Sequence, residues 1–409
     1  MDRFPRVLGL IQAGGKGSRM DVLTRERAKP GLAFAGSYKL IDFPLSSFAN
    51  SGIPDVWVSV SYLASTLDPY IAQGRPWDLD RTRGGYRRVV PEEGGSPSES
   101  GFAAGNADNL VQLGQEIENF DAHVIVVMSA DHIFNLDLRP VIRDHLARDA
   151  ECTIITAEVS KSEARHNGVV EVGEDGRVTG FEYKPSTPVT TTVATEIFLY
   201  EPTVLLGELH RLRGLLAPDD EDGSSGLGDF GDHLIPALVK RGKTFAVPLG
   251  GYWKDVGRPA VYFQAHRDLL RGKVDVFDQR GFPILTRWPE LPPAVVRPGG
   301  VADDAMLSGG VVVRGTVRRS VLGPGVIIQK GAVVEDSVIG RDVVVQAGAR
   351  VHTAIVDDSC RIGRDAQVGE PPVASRVRDK DIALLGLGST VSASAVVPAG
   401  ARLEPGTTA

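Results

Sequence analysis

Cysteine is almost missing: Cys152 and Cys360 are the only two in 409 residues, and they stand far apart in the chain. Two such residues build no disulfide framework, and without a Cys-x-x-Cys pair or a His/Cys cluster there is no structural-zinc signature. Long apolar runs are missing too. The early run from Val7 to Ala13 is too short for the apolar core of a secretion signal. No stretch approaches the ~20 residues of a membrane span. Positive charge is not in excess, since 45 Lys and Arg face 52 Asp and Glu for a formal net charge of -7. That balance gives no general attraction to nucleic acid or to anionic lipid, so neither is an expected partner. The expectation is a soluble, cytoplasmic protein of a reducing compartment.

What is present is enough to build cores. Apolar residues make up 42% and charged residues 24%, which excludes wholesale disorder. At roughly 150 residues per domain, the length predicts two or three domains. Glycine is abundant at 47 residues. That is roughly 11% against a usual ~7%, so tight turns or close backbone approaches are frequent.

Strands and helices alternate over the first 270 or so residues. Val7–Ala13, Val56–Val60, Val124–Met128 and Thr153–Val159 are apolar or β-branched runs of the kind buried in parallel sheets. Helices are predicted around Asp108–Asn119 and Leu138–Ala150, the latter amphipathic with Pro140 near its start. This alternation predicts an α/β domain with a mostly parallel sheet. Pro91–Gly105 and Pro218–Gly228, rich in Gly, Ser and acidic residues, read as mobile loops.

Beyond about Asp275 the texture changes. Apolar residues recur every six positions at Val301, Leu307 and Val313, and then at Val321, Ile327, Val333, Ile339, Val345 and Val351. After a one-residue slip come Val356, Ile362 and Val368, and the period returns at Leu385, Val391, Val397 and Leu403. A β-sandwich alternates with period two and would not hold a phase of six; stacked hexapeptide rungs of a β-helix do. Residues 370–383 interrupt the repeat as a loop. The expected division is an α/β domain over residues 1–275 and a β-helix over 276–409.

The strongest chemical signal runs from Gln12 to Pro30. A buried strand ends in Gly14, Gly15 and Gly17, where backbone N–H groups approach a phosphate chain without Cβ interference. Arg19 and Lys29 add cations at the same place. The pattern is neither the dinucleotide fingerprint nor the Walker A loop. Glycines alone suit a tight structural turn equally well, and the Arg and the Lys-Pro tip the reading toward phosphate.

Gly-Gly-x-Gly-x-Arg, then Leu-Thr-x-x-Arg-Ala-Lys-Pro, then Tyr38-Lys39-Leu40-Ile41-Asp42-Phe43-Pro44 closely resemble the glucose-1-phosphate adenylyltransferase family. Further matches follow in the family's order: Asn50-Ser51-Gly52-Ile53, Ala130-Asp131-His132-Ile133, Phe181 to Pro185, Asp229-Phe230-Gly231 and Tyr252-Trp253-Lys254-Asp255-Val256-Gly257. A C-terminal, left-handed parallel β-helix of hexapeptide repeats belongs to the same pattern, so the resemblance spans nearly the whole chain.

The resemblance implies ATP and glucose 1-phosphate as substrates, Mg²⁺ as cofactor, a homotetramer and anionic metabolite effectors. It implies catalytic roles for Arg19, Lys29 and Asp131, with Asp131 and Asp255 holding the metal. Gln12, Ala13, Gly14, Gly15, Gly17 and Gly105 are the implied nucleotide-binding residues, and Gly168, Tyr183, Lys184 and Glu196 the sugar-phosphate ones. Two carboxylates plus substrate phosphates are a usual seat for Mg²⁺, although either Asp taken alone, without the resemblance, reads first as a helix cap or a turn residue. Effectors would meet Arg25 and Arg27, with Glu26 between them opposing an anion.

Four stretches depart from the family pattern. Pro91-Glu92-Glu93-Gly94 stands where relatives carry Pro-Ala-Gln-Gln-Arg, and Phe102-Ala103-Ala104-Gly105 replaces Trp-Tyr-Arg-Gly. Tyr183-Lys184-Pro185 replaces Glu-Lys-Pro, and Ala194-Thr195-Glu196 replaces Ser-Met-Gly. These touch recognition rather than phosphoryl chemistry, so a different base or sugar, such as GTP or glucosamine 1-phosphate, is the first alternative. A non-catalytic regulatory paralogue is the second. An acyltransferase is the third, with His352 the lone candidate in the β-helix.

Overall fold

Val7–Gln12 is buried along its whole length because it lies in the middle of a nine-stranded sheet. The computed structural model describes residues 5–15, 17–60, 62–89, 105–217, 226–371 and 377–409. The expected loops at 91–104 and 218–225 lie outside the described residues, and with them Glu92, Glu93, Ala103 and Ala104.

Val7–Gln12 is flanked by two parallel strands, Asp55–Ser59 and Val124–Ser129. Beyond the first lies Tyr86–Val89; beyond the second lies Thr192–Tyr200, which pairs with Cys152–Glu158 and Gly168–Val172, and Thr244–Pro248 adds to the far side of Cys152–Glu158. Among the described strands of this sheet, only Thr192–Tyr200 and Val178–Tyr183 run against the rest. The sheet is mostly parallel, as its β-branched runs predicted.

Alternate side chains of Val7–Gln12 feed opposite faces. Ile11 joins a core with Met128 and Phe48, while Leu8 and Leu10 join one with Trp57, Leu110 and Ile117. Gly9 is required on the first face: a Cβ there would meet the Phe48 ring at 2.7 Å. The helix expected over Asp108–Asn119 is two helices, Asn106–Gln112 and Gly114–Phe120, parted where Gly114 offers no side chain to steady the turn. The other expected helix covers Leu138–Ala147, and its exit turn holds Asp149 at φ 49.

The α/β unit's last helix is Pro259–Leu270, and the first strand of the C-terminal unit is Val295–Val296. The expected division at 275/276 falls in the connection between them. That connection is pinned to the first unit by Asn135 Nδ2, which donates to the Val276 and Phe282 carbonyls at 2.9 Å each.

The C-terminal unit is a left-handed β-helix: three parallel sheets of six short strands, each stacked on the strand one rung earlier. Three apolar ladders fill it. One runs Leu307, Leu322, Ile339, Val356, Leu385, Leu403. The second runs Val313, Ile328, Val345, Ile362, Val391, and the third Val317, Val334, Val351, Val368, Val397. The phase expected for Val321, Ile327 and Val333 is therefore off by one, since their neighbours Leu322, Ile328 and Val334 point inward. Each pair is an apolar doublet, so a six-residue period fits either member. Val301, also expected inside, is 43% exposed. The one-residue slip noticed at Val351–Val356 recurs at Val317–Leu322 and Val334–Ile339, one five-residue step per turn.

Val321 is buried for another reason. With Val338, Ile355 and Leu384 it forms an outward ladder that joins the core of the α/β unit. One sheet of the β-helix is thus apolar on both faces, one for each unit.

Candidate active site

Gln12, Ser59 and Ser129 end three adjacent parallel strands in register. The carboxyl ends of such strands open a crevice where ligands bind. Gln12 itself turns inward: Asn109 Nδ2 donates to Gln12 Oε1 at 2.5 Å and to Ser59 Oγ at 2.6 Å, and Gln12 is only 5% exposed. Ala13 is buried as well, with its N–H on the Ser59 carbonyl at 2.8 Å. These two hold the base of the loop, and Gly14, Gly15 and Gly17 form its rim. Gly17 sits at φ 62, a left-handed conformation that costs glycine little. Among the described residues, none but its chain neighbours comes within 4 Å of the place a Cβ on Gly15 would take.

Lys29 follows on a short turn through Pro30 and is almost wholly buried. Its ammonium is in close contact with Asp131 Oδ2 and stands 3.9 Å from Asp255 Oδ1. Asp131 leaves the strand Val124–Ser129, whose Ser129 hydroxyl donates to its Oδ1. Asp255 arrives by tertiary pairing, because His132–Ile133 and Lys254–Asp255 form a two-stranded antiparallel ribbon with Asp255 opposite His132. Burial alone would pull the Lys29 pKa down, but Asp131 and Asp255 more than offset it and the ammonium is held charged. Burial likewise pushes Asp131 up, and Lys29 and His132 override it, leaving the carboxyl well below its usual range. Arg19 is exposed at the mouth, its guanidinium beside Gly257. It lines a cavity of about 240 Å³ with His166, Trp253, Asp255 and Arg258.

On the far side, Lys184 donates to the Tyr183 hydroxyl at 2.6 Å, and Tyr183 donates to Asp229 Oδ2 at 2.8 Å. Gly168 pairs with Tyr183 across the sheet, and the Phe181 ring lies where its Cβ would be. Glu196 sits in an irregularity of Thr192–Tyr200 at φ 56, its Oε2 3.9 Å from His132 Nε2. Gly105 lies against Gly228 and Asp229, close enough that any Cβ would strike their backbone.

Asp131, His132 and Glu196 each bring one donor atom within 4.8 Å of the others, with Asp255 adjoining. Hard carboxylate oxygens in this number suit a divalent ion. His132 and Asp229 drew no role from sequence, although both lie in the quoted Ala-Asp-His-Ile and Asp-Phe-Gly stretches. The cations expected to meet effectors are already paired. Arg25 reaches Glu404 at 3.3 Å, and Arg27 reaches Asp357 at 2.7 Å and Asp358 at 3.3 Å.

The nucleotidyl transferase family matches residues 8–272, and the GlmU-like C-terminal hexapeptide family matches residues 294–381. A glucose-1-phosphate adenylyltransferase of Clostridium acetobutylicum is 34% identical over 80% of this chain and 84% of its own length. That of Fervidobacterium nodosum is 32% identical over 94% and 92%, and that of Geobacillus stearothermophilus 36% identical over 81% and 83%.

Proposed function

The chain belongs to the glucose-1-phosphate adenylyltransferase family of nucleotidyl transferases, and from that premise we propose that it joins ATP and glucose 1-phosphate. The products are ADP-glucose, for glycogen-type glucan synthesis, and pyrophosphate. The observation that carries this reading is the meeting of Lys29, Asp131 and Asp255 from three distant segments beside the glycine loop.

A phosphate oxygen of the sugar forms a bond to the α-phosphorus as the bond to the β-phosphate oxygen breaks. The attacking oxygen is already ionised, so no general base is needed, and positioning with charge neutralisation carries the reaction. The rim of Gly14, Gly15 and Gly17 receives the triphosphate, with Gly105 at the edge of the nucleotide site. Arg19 and Lys29 stabilise charge on the α-phosphate and on departing pyrophosphate. Lys184, steadied by Tyr183 and with Gly168 and Glu196 beside it, holds the sugar phosphate. Mg²⁺, held by Asp131 and Asp255, supplies neutralisation of the phosphate chain when bound. The complete charged cluster weighs against a regulatory paralogue, since buried like charges are costly to keep without use.

Anionic effectors fit best in an open cleft of about 620 Å³ at the junction of the two units, where Lys39, Arg287 and Arg341 line the wall together with Glu290 and Asp358. Assembly as a homotetramer through the β-helix, and a cytoplasmic setting, complete the proposal. The deciding experiment crosses four nucleoside triphosphates with glucose, glucosamine, N-acetylglucosamine and mannose 1-phosphates and reads pyrophosphate release. ATP with glucose 1-phosphate is expected to give the highest kcat/KM. Another pair better by about tenfold would transfer the assignment to that base or sugar.

A further inference from the structure

We propose that this protein holds its divalent ion before any nucleotide arrives, in a mixed nitrogen and oxygen site where His132 Nε2 and the Glu196 carboxylate join Asp131 and Asp255. The proposal rests on the metal seat assigned above and extends it to two further residues.

His132 is 3% exposed, and its Nδ1 lies 3.0 Å from the Thr195 carbonyl oxygen. A carbonyl only accepts, so Nδ1 carries a proton. Nε2 then faces Asp131 Oδ1 at 3.3 Å, Asp255 Oδ1 at 3.6 Å and Glu196 Oε2 at 3.9 Å. The three anionic oxygens draw a proton to Nε2 when the gap holds no cation; a divalent ion there takes that proton's place, and the lone pair becomes a ligand. An imidazole whose other nitrogen is tied to a backbone carbonyl is also the way proteins orient a metal-binding histidine.

The buried His132 ring aimed into the cluster is the observation independent of the carboxylates, and Glu196 completes the oxygen set. The strand Thr192–Tyr200 loses register between Ala194 and Phe198, and Glu196 takes φ 56 there, a conformation costly for any side chain but glycine's. Glycine is what the family pattern carries at this place. The strain brings a third carboxylate to a cluster whose one buried ammonium among the described residues is Lys29. With Nε2 deprotonated for ligation, three carboxylates against that ammonium leave two negative charges, which match a divalent ion.

Mg²⁺ in phosphoryl-transfer sites is usually held by one or two carboxylates and completed by substrate phosphates. A third carboxylate and an imidazole make a site that needs no phosphate and that favours Mn²⁺ over Mg²⁺, because nitrogen donors suit the softer ion.

The test titrates chelator-stripped, full-length protein with Mn²⁺ in the absence of ATP and sugar phosphate, following the free-ion signal by electron paramagnetic resonance. One Mn²⁺ per chain is expected, bound at least about tenfold more tightly than by Glu196→Gln. Pulsed spectra should show ¹⁴N coupling in the native protein and none in His132→Gln. Should either variant fail to fold, native protein labelled with ¹⁵N-histidine must shift the coupling to the ¹⁵N pattern. Binding of Mn²⁺ only with ATP present, or binding without nitrogen coupling, overturns the proposal. Mn²⁺ bound as described, with no substrate pair releasing pyrophosphate, would instead count against the transferase reading alone.

Discussion

Arg27 Nη2 and Asp357 Oδ1 stand 2.7 Å apart across the junction of the α/β unit and the β-helix. Two residues along, Lys29 reaches Asp131 at the opposite side of the chain. A three-residue stretch thus ties Asp131 to the stacked rungs. Both members of the junction pair are largely buried, and burial pushes Asp357 up to about 6 even with Arg27 drawing it down.

Removing Arg27 leaves Asp357 buried, and the half-buried Asp358 beside it, without their cation. Arg27→Ala should cost about 3–5 kcal/mol of stability, because an unpaired buried charge keeps its desolvation penalty. Adding Asp357→Asn to that variant should restore part of the loss. Urea unfolding of the three proteins measures this; a loss below about 1 kcal/mol in Arg27→Ala would show that the pair contributes no more than a surface one.

Asp131→Asn keeps the side chain's shape and removes its charge. Turnover should fall by about three powers of ten or more, roughly 4 kcal/mol in barrier, with the far-ultraviolet spectrum unchanged. Near-normal kcat in this variant would remove Asp131 from the mechanism.

Gly231 packs so closely on Tyr183 that an added Cβ would collide with its ring. Gly231→Ala should therefore displace Tyr183 and, through its hydroxyl, the Lys184 ammonium. Steady-state kinetics should show KM for the sugar phosphate up by about tenfold and kcat within about threefold. Equal losses in kcat and kcat/KM would place Lys184 in transition-state stabilisation rather than in substrate holding.

His145 is buried with Nδ1 2.8 Å from Thr153 Oγ1, and burial lowers its pKa to about 4. Its unfolded value is near 6.5, so between those limits the unfolded chain binds a proton that the folded chain refuses. Stability contributed by the neutral ring is whole above pH 6.5 and is lost as pH falls toward 4. Relative to His145→Asn, the native protein should lose up to about 3 kcal/mol across that window. Denaturant unfolding at several pH values provides the check, and parallel curves for the two proteins would contradict the burial argument.

The glycine loop, Arg19 and Lys29 were legible because they lie within one short stretch at the end of an apolar run. Asp131 was legible for the same reason, directly after Val124–Ser129. The β-helix announced itself because a rung repeats its own local period. Gln12 was legible as part of the motif, but nothing in a single strand says that Asn109 will donate to its side-chain oxygen.

The chain by itself determined which residues avoid water and where phosphate-seeking groups cluster, because hydrophobic period and glycine spacing are properties of neighbours in sequence. Tertiary structure decided that Lys254–Asp255 pairs with His132–Ile133, that the bulge at Glu196 turns into the cluster, and which member of each Val or Ile doublet points inside the β-helix. The physical reason is common to all three. A strand's pattern specifies a buried face but not the partner that covers it, and that partner is chosen by packing summed over segments far apart in sequence or by the stacking of one rung on the next.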